Sequence, residues 1–414
     1  MANQVYSQQF ENGLTLLAEP MDWLESVAFT LLIPSGADRD PKHLAGLSNF
    51  VCEMAQRGCG SRSSRQFIED LELLGVDSSG SVSNAFASYG GSMPAEKLAE
   101  ALTIYADVVR RPHLNADQFE DAQQVCIQEV RSHDDDLAHK VMSELRRHRY
   151  VDPYSRVSYG NIEAIEQIKI DDVREHFRSF YQPQGVILSV AGQIDWPSLR
   201  DHVGQLFGDW TGSNPPIKEG PAPSEPYFHI EHDSSQMHIG ISYASVPYSA
   251  DNYFQSHGAI GVLSGGMSSR LFTEIREKRG LCYSVYASCE TVRDRGAVVS
   301  YAGTTTDRAQ ETLDVLVEEL LRLREGVREE ELKRLKARIK SQLIMAQESS
   351  SSRSSQIAWD WYHLNRVRTL DELSAIIDAL TCQTINQYLV DNPPRDFRVV
   401  TLGANQLEIP RGIS

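Results

Sequence analysis

Hydrophobic residues follow two different periods along the chain. Short apolar runs such as SVAFTLLIP, GVILSVAG, HIGISYASV and AVVSYAG are typical of strands. Between them lie longer helical segments, and in one of these Leu47, Phe50, Val51 and Met54 recur at i, i+3, i+4 and i+7, the spacing of a buried helix face. Strands and helices do not alternate strictly. The pattern therefore predicts an α+β fold with an antiparallel or mixed sheet and helices packed on one face, rather than a doubly wound parallel sheet.

The pattern also repeats along the chain. PQGVILSVAGQ runs from Pro183 past Gly192, and PRDFRVVTLGA runs from Pro394 past Gly403, so both pairs are separated by 211 residues (403 − 192 and 394 − 183). The same offset places SMPAEKLAEAL over GTTTDRAQETL, each of them a strand end, a turn and an amphipathic helix. Three matches at one offset predict an internal duplication into two homologous halves.

A proline-rich segment separates these halves. NPPIKEGPAPSEP, residues 214–226, carries five prolines, which cannot continue a helix or a central strand. We therefore predict an N-terminal domain at residues 1–213, an extended linker at 214–226 and a C-terminal domain at 227–414. The serine run at residues 349–355 is interpreted as small residues at a tight helix contact or in a loop, with a regulatory phosphosite as the alternative.

Composition narrows the class of protein. The chain has 414 residues and a formal net charge of −17, which gives it no general affinity for nucleic acid and favours, at most, basic peptides. Its six cysteines form no C-x-x-C pair, no apolar run approaches membrane-spanning length, and MANQVYSQQFENG lacks the pattern of a signal peptide. These features predict a cytoplasmic protein with reduced thiols that contacts neither membrane nor nucleic acid.

One stretch resembles a known family. GVLSGGMSSRLFTEIREKRGLCYSVYA, residues 261–287, reads as a glycine turn, a helix and a strand, and it resembles the second-domain signature of the M16 zinc metallopeptidases, the pitrilysin, insulinase and mitochondrial-processing-peptidase group. NGLTLLAEP, DPYSRVSYGNIEAIEQI and VVRRPHLNADQFEDAQQVCIQEV resemble other parts of that family, so the likeness covers nearly the whole chain. It implies two like-folded halves of the LuxS/MPP-like metallohydrolase fold.

The resemblance does not extend to the family's catalytic motif. Active members carry H-x-x-E-H, in which two histidines bind zinc and the glutamate is the general base, with a later glutamate as third ligand. Matching AGLSNFVCEMAQRG to this motif puts Asn49 and Glu53 at the histidines and Cys52 at the base. The later ligand falls on Glu129, and a supporting acid seven residues earlier falls on Ala122. Only Glu129 keeps its type, so we expect this chain to bind no zinc, although an altered metal site at these positions stays open.

Two further clusters have spacings compatible with metal ligands. His133, Asp136 and His139 follow one another at i, i+3 and i+6, and His229 and Glu231 would share one face of a strand. We interpret the first as an acidic, solvated helix end and the second as ordinary strand residues.

The second-half signature contains both polar residues, an arginine and a tyrosine, that the resemblance assigns to substrate binding. In the family, an arginine and a tyrosine seven residues apart reach the substrate beside the scissile bond, and these positions are Arg276 and Tyr283 here. A fixed cation and a phenolic donor suit a site where an oxyanion develops. The alternative is that Arg276 is a surface helix charge and Tyr283 a core strand residue.

A lost zinc motif beside a kept Arg/Tyr pair resembles the non-catalytic subunit of two-chain M16 peptidases. It implies a chain that is inactive alone, forms a heterodimer with an H-x-x-E-H subunit and contributes peptide binding to proteolysis, with zinc held by that partner. Two alternatives remain: a non-enzymatic binding or assembly protein of the same fold, as in the core subunits of a respiratory complex, and a self-sufficient hydrolase with an unrecognised site.

Overall fold

The computed structural model describes residues 4–413, which form two compact units. Unit 1 contains the described residues up to Ser132, together with Asp152–Gly220 and Ile344–Leu370. Unit 2 contains His133–Val151, Pro221–Leu343 and the described residues from Asp371 onward. Within residues 4–413, no helix combines the length and the apolar character needed to cross a membrane.

Unit 1 is built on a six-stranded mixed sheet with the order β1-β2-β6-β3-β5-β4. β2 and β6 run parallel, and all other neighbours are antiparallel. The strands are β1 (Tyr6–Gln9), β2 (Thr15–Pro20), β3 (Ser26–Ile33), β4 (Asp77–Val82), β5 (Ala87–Pro94) and β6 (Ile187–Gly192).

The main helical layer of unit 1 covers one face of this sheet. Alternate side chains of β3, Val27, Phe29, Leu31 and Ile33, enter the large core that these helices close. The helices are α1 (Leu47–Ala55), α2 (Ser64–Leu73), α3 (Leu98–Arg110), α4 (Phe119–Asp135, whose last three residues belong to unit 2), α6 (Ile162–Gln167), α7 (Ile170–Phe180) and α8 (Trp196–Phe207).

Unit 2 contains a five-stranded mixed sheet with the order β7-β11-β8-β10-β9. β7 and β11 are parallel, and the remaining pairs are antiparallel. The strands are β7 (Tyr227–Glu231), β8 (Gln236–Ser245), β9 (Cys282–Val292), β10 (Arg295–Thr305) and β11 (Arg398–Gly403).

One helical layer again covers a face of the unit 2 sheet. It consists of α9 (Tyr253–Ser264), a π-helix (Phe272–Glu277), α10 (Ala309–Arg322), α11 (Glu329–Ala346, whose last three residues belong to unit 1), α13 (Leu370–Ala379, whose first residue belongs to unit 1) and α14 (Cys382–Asp391). The two mixed sheets with helices confirm the predicted α+β class. Residues 214–226 carry neither helix nor strand.

The sheets of the two units have the same topology. Strands β2, β6, β3, β5 and β4 correspond in order and in direction to β7, β11, β8, β10 and β9. At the offset of 211, β6 (Ile187–Gly192) coincides with β11 (Arg398–Gly403), and the end of β5 at Pro94 coincides with the end of β10 at Thr305. The two halves of the chain are therefore like-folded.

Each sheet carries one more helix, on its other face, and this helix comes from the opposite half of the chain. α12 (Ser350–Leu364) packs on β3 and β6 in unit 1, and α5 (Leu137–Arg149) packs on β11 and β8 in unit 2. The compact units consequently differ from the predicted domains in these two segments. The reason is that both faces of strands such as β6, buried along its whole length, need an apolar cover.

The serine run forms the start of α12. Ser350 and Ser354 are buried, and the Ser189 hydroxyl of β6 hydrogen-bonds the Ser354 carbonyl. Arg353, in the same turn, pairs with Glu19 of β2, and both side chains are buried. Small side chains thus let this helix lie close to the sheet, while the one large cation has a carboxylate partner.

Candidate functional site

The first candidate site lies on α1, whose beginning is fixed by one carboxylate. Gly46 precedes the helix with φ 95°, a left-handed conformation that favours glycine. The backbone N–H groups of Gly46 and Ser48 both donate to Asp40, at 2.8 Å. Buried Leu47, Phe50, Val51 and Met54 confirm the predicted apolar face of the helix.

The residues that the M16 resemblance aligns with zinc ligands are all bonded inside unit 1. Asn49 Nδ2 donates to Glu129 Oε2 at 2.7 Å and so joins α1 to α4. One turn further along α1, Glu53 accepts from Arg57, with 2.7 Å between Oε1 and Nη2. The amide and the two carboxylates are therefore already engaged within unit 1.

The residue that the M16 resemblance aligns with the general base, Cys52, is chemically inert. Cys52 is 3% exposed, and burial raises the pKa of its thiol to about 12. A neutral thiol neither activates water nor attacks a carbonyl. Its Sγ lies 4.0 Å from the carbonyl oxygen of Ser81 and also interacts with the side chain of buried Tyr89.

These residues do not fit a zinc ion. Zinc sites are built from imidazole, thiolate and carboxylate ligands that converge on one point, and this one offers no imidazole, a protonated thiol and carboxylates bonded elsewhere. Across residues 4–413, no group of three or more His, Cys, Asp or Glu side chains is arranged to hold a metal.

The two other sequence clusters have structural roles. Asp136 caps α5 by accepting from the N–H groups of Ala138 and His139, and the rings of His133 and His139 stack with their centroids 4.3 Å apart. His229 Nδ1 lies 2.8 Å from the hydroxyl of Thr401 on the neighbouring strand. Neither arrangement directs its side chains to a common ion.

Unit 1 also contains a buried trio that the sequence did not reveal. Ser48 Oγ lies 2.6 Å from Asp40 Oδ1 and 3.1 Å from His176 Nε2. The serine stands between the acid and the imidazole, so no carboxylate orients this histidine in the manner of a hydrolytic triad. Burial lowers the pKa of His176 to about 3 and keeps it neutral, and all three side chains are closed to substrate. The trio anchors α1, and only the fold brings its members together.

The second candidate site lies on the π-helix of unit 2. The N–H of Lys278 donates to the carbonyl of Thr273 at 3.0 Å, five residues back, which widens this turn. Gly280 then reverses the chain with φ 59°, and β9 begins two residues later. Such single π-turns are frequent at functional sites because they redirect side chains.

The structure brings Arg276 and Tyr283 together. The guanidinium carbon of Arg276 lies 5.4 Å from the ring centroid of Tyr283 and 4.9 Å from that of Phe272, so two aromatic rings hold the cation. Tyr283 is 87% exposed, which rules out the alternative that it is a core residue. Sequence reasoning missed Phe272, although its place four residues before Arg276 on a helix was an available signal.

Neighbouring charges distinguish Arg276 from the other cations of its segment. Glu274 is paired with Lys278 at 2.7 Å and with Arg279 at 3.2 Å. Arg276 has no ion pair with any residue in 4–413, and Tyr283 makes no side-chain hydrogen bond there. A cation and a phenolic hydroxyl are thus presented side by side with their donors uncommitted.

Comparisons with known proteins identify the family of this chain. A family model described as insulinase (peptidase family M16) matches residues 21–156, and one described as peptidase M16 inactive domain matches residues 167–339. YmxG of Bacillus subtilis, named an uncharacterized zinc protease, is 25% identical over 385 residues, which cover 91% of this chain and 92% of that protein.

Solved structures share the fold over almost the whole chain. The peptidase M16 inactive domain from Pseudomonas fluorescens has a TM-score of 0.89 at 19% identity, covering 98% of this chain and all of that one. A chain of complex III2 from Candida albicans has a TM-score of 0.81 at 17% identity and covers 97% of this chain and 96% of its own length. These likenesses confirm the predicted fold. The two family models, which match residues 21–156 and 167–339, show that this chain belongs to the M16 peptidase family.

Proposed function

We propose that this chain is the non-catalytic, peptide-binding subunit of a two-chain M16 zinc metalloendopeptidase. One observation carries the proposal: Arg276 and Tyr283 lie together, with their donors free of intramolecular partners among residues 4–413. Charged and phenolic donors left uncommitted at a protein surface are available to a ligand. We also propose that it works in the cytoplasm, in keeping with six cysteines that form no disulfide within the described chain.

The first-half site supports the same proposal because it lacks the groups needed for hydrolysis. Asn49 is bonded to Glu129 and Glu53 to Arg57, and burial keeps Cys52 protonated. A chain without a base and without imidazole ligands depends on a second chain for peptide-bond hydrolysis. That second chain would be an M16 subunit with an intact H-x-x-E-H motif.

The partner's zinc would supply Lewis acidity and a water of lowered pKa. The residues of this chain would bind and orient the peptide. Arg276, held between Phe272 and Tyr283, offers a planar pair of donors to a carbonyl oxygen on which negative charge develops. The Tyr283 hydroxyl offers a third donor to the same atom.

β9 gives the peptide a surface along which to lie. It stands at the edge of the unit 2 sheet and pairs with β10 alone, and Tyr283 is its second residue. An extended peptide that paired with this edge along its whole length would lie beside Tyr283 at one end of β9. Selection would then depend on shape and charge more than on a single side chain, and the net charge of −17 would favour basic peptides.

A second candidate is a non-enzymatic binding or assembly protein. A protein of this kind would equally have its α1 polar groups bonded internally, as Asn49 is to Glu129. A chain of complex III2 also shares the fold. A self-sufficient hydrolase has weaker support, because the Asp40, Ser48 and His176 trio is buried and in the wrong order for a triad.

Co-expression decides between these functions. The chain is produced alone and together with an H-x-x-E-H relative encoded beside it, and each preparation is assayed on a mixed peptide library. We expect this chain alone to bind no stoichiometric zinc and cleave nothing, and the pair to form a complex that cleaves peptides. A stable complex in which this chain adds no activity would favour the assembly protein, and activity of this chain alone would favour the hydrolase.

A further inference from the structure

A second binding feature of unit 2 is a pocket between α9 and α11, with a volume of about 200 Å³. It is lined by the glycine turn that follows α9, by Ser268 and Ser269, and by Arg334 and Arg338 of α11. The space is several times the volume occupied by one water molecule, about 30 Å³, so it accepts a group of several atoms. The start of the signature at residues 261–287 lines one side of it, but Arg276 and Tyr283 are not among its lining residues.

Gly261 of α9 and Gly265, which follows this helix, let α11 pack closely beside the pocket. A Cβ atom at Gly261 would meet Leu335, and one at Gly265 would collide with the guanidinium of Arg338 and with the carbonyl of Gly261. Gly265 has φ −86°, so its own backbone conformation is open to any residue. A side chain is excluded there by close neighbours, and one of them is the Arg338 head group.

The charges around the pocket do not cancel. Its one carboxylate, Glu331, accepts from Arg270 at 2.8 and 2.9 Å and from Arg328 at 3.0 Å. Arg334 and Arg338, one turn apart on the same face of α11, have no ion pair with any residue in 4–413. Two unneutralised cations at one pocket stand out in a chain of net charge −17.

Arg338 is the more constrained of the two. Its Nε is buried and has no hydrogen-bond partner in the described chain, and burial lowers the pKa of its guanidinium. A buried donor without an acceptor is costly, and the cost is relieved when an anion brings acceptor oxygens to it. Ser268 and Ser269 add hydroxyls that make no side-chain hydrogen bond within residues 4–413.

We propose that this pocket binds a carboxylate of the peptide substrate, either an acidic side chain or the free C-terminus. The planar fork of arginine matches the two oxygens of a carboxylate, and Arg338 at the wall with Arg334 at the rim would hold them. That the carboxylate belongs to a peptide rests on the proposed function; that the pocket takes a carboxylate rests on its own geometry. The same turn leads through Ser269 to the π-helix, so a bound acid would anchor a peptide on the segment that carries Arg276.

The test uses the full chain alone and needs no partner subunit. Protein labelled with ¹⁵N-arginine is titrated with four probes: N-acetyl-glutamate methylamide, N-acetyl-alanine, the neutral N-acetyl-glutamine methylamide and inorganic phosphate. The Nε–H resonance of Arg338, assigned by its loss in Arg338→Lys, reports binding. We expect at least one carboxylate probe to bind roughly tenfold or more tightly than the glutamine probe.

Matched variants locate the effect. Arg338→Gln should abolish the preference for carboxylate over amide, measured by calorimetry, whereas Lys333→Gln on the exposed side of α11 removes the same charge and should preserve it. Equal binding of the glutamate and glutamine probes, binding of phosphate alone, or a preference that survives Arg338→Gln would overturn the proposal.

The two proposals fail separately. If the pair of subunits cleaves peptides but the titration shows no carboxylate preference, only the pocket assignment is lost. If the titration succeeds but no partner confers activity, the pocket stands as a carboxylate site and the peptidase subunit does not.

Discussion

On α1, every side chain at a former ligand or base position is either bonded within unit 1 or buried and protonated. In unit 2, Arg276 of the π-helix and Tyr283 of β9 contact each other, and neither side chain makes a hydrogen bond or an ion pair among the described residues. The polar groups of the first region are taken up by internal contacts. The donors of the second region have no hydrogen-bond acceptor among the described residues and are available to a ligand. The difference teaches that two regions of one family fold can use their polar groups in opposite ways, one for internal structure and the other for contacts still to be made.

The largest effect is expected from introducing the H-x-x-E-H motif on α1. The triple change Asn49→His, Cys52→Glu and Glu53→His rebuilds H-x-x-E-H beside Glu129, which already lies within 2.7 Å of the Asn49 side chain. We expect about one tightly bound zinc per chain in metal analysis, against none in the unmodified protein, because only side chains are missing. Adding Glu129→Gln to the triple variant should remove most of this zinc. A folded triple variant without zinc would show that the backbone has also diverged.

The second site is tested by removing its donors in the active pair. Tyr283→Phe deletes one hydroxyl, and loss of an oxyanion donor costs on the order of 10²-fold in turnover. Arg276→Ala should cost at least as much, since charge and positioning are lost together. The measurement is turnover at equal zinc content, with Lys278→Ala, a cation paired to Glu274 on the same segment, as the control that stays active. Full activity in both variants would make the two residues structural.

The pH dependence of the free energy of unfolding tests whether buried Asp40 holds the start of α1. Burial raises the pKa of Asp40 to about 7, above its ordinary value of 3.8. The folded state therefore binds a proton that the unfolded state has already lost, and stability from this group falls as pH rises from about 4 to about 7. Relative to Asp40→Asn, the wild type should lose up to about 1.4 kcal/mol of unfolding free energy per pH unit there. Denaturant unfolding of both proteins at each pH measures this, and parallel curves would contradict it.

The smallest effect compares one side chain from each site in the isolated chain. Asn49→Ala leaves a half-buried Glu129 without its amide donor and should lower the free energy of unfolding by about 1 kcal/mol. Tyr283→Ala, at an 87% exposed position, should change it by no more than about 0.5 kcal/mol. Denaturation curves of the two variants test the pair, and an equal cost at both positions would show that Tyr283 is also engaged in structure.

Much of the fold was predictable because its signals are local. The stripe of Leu47, Phe50, Val51 and Met54 predicted α1 and its buried face, and the 211-residue offset predicted two like-folded halves. The exchange of α5 and α12 was not predictable, since periodicity shows which face of a helix is apolar but not which sheet will cover it. The closeness of Arg276 and Tyr283 could be expected from the family signature alone. The π-turn and the packing of Phe272 that produce it come from one extra residue in a helical turn, which leaves no mark in hydrophobic spacing.

Because α5 and α12 each cover the sheet of the other half, neither half of the sequence contains all the helices that its own sheet needs. Residues 1–213 do not contain the helix that covers the second face of their own sheet, so that fragment would expose Leu17 and Ile187, which are buried in the whole chain. During synthesis, the first sheet waits for residues 350–364 before both of its faces are closed. Two copies of residues 1–213 could cover each other's sheets by exchanging α5, the helix that this half does contain, as domain-swapped dimers do. The fused chain performs that reciprocal swap within a single polypeptide, and its two halves therefore complete their folding together.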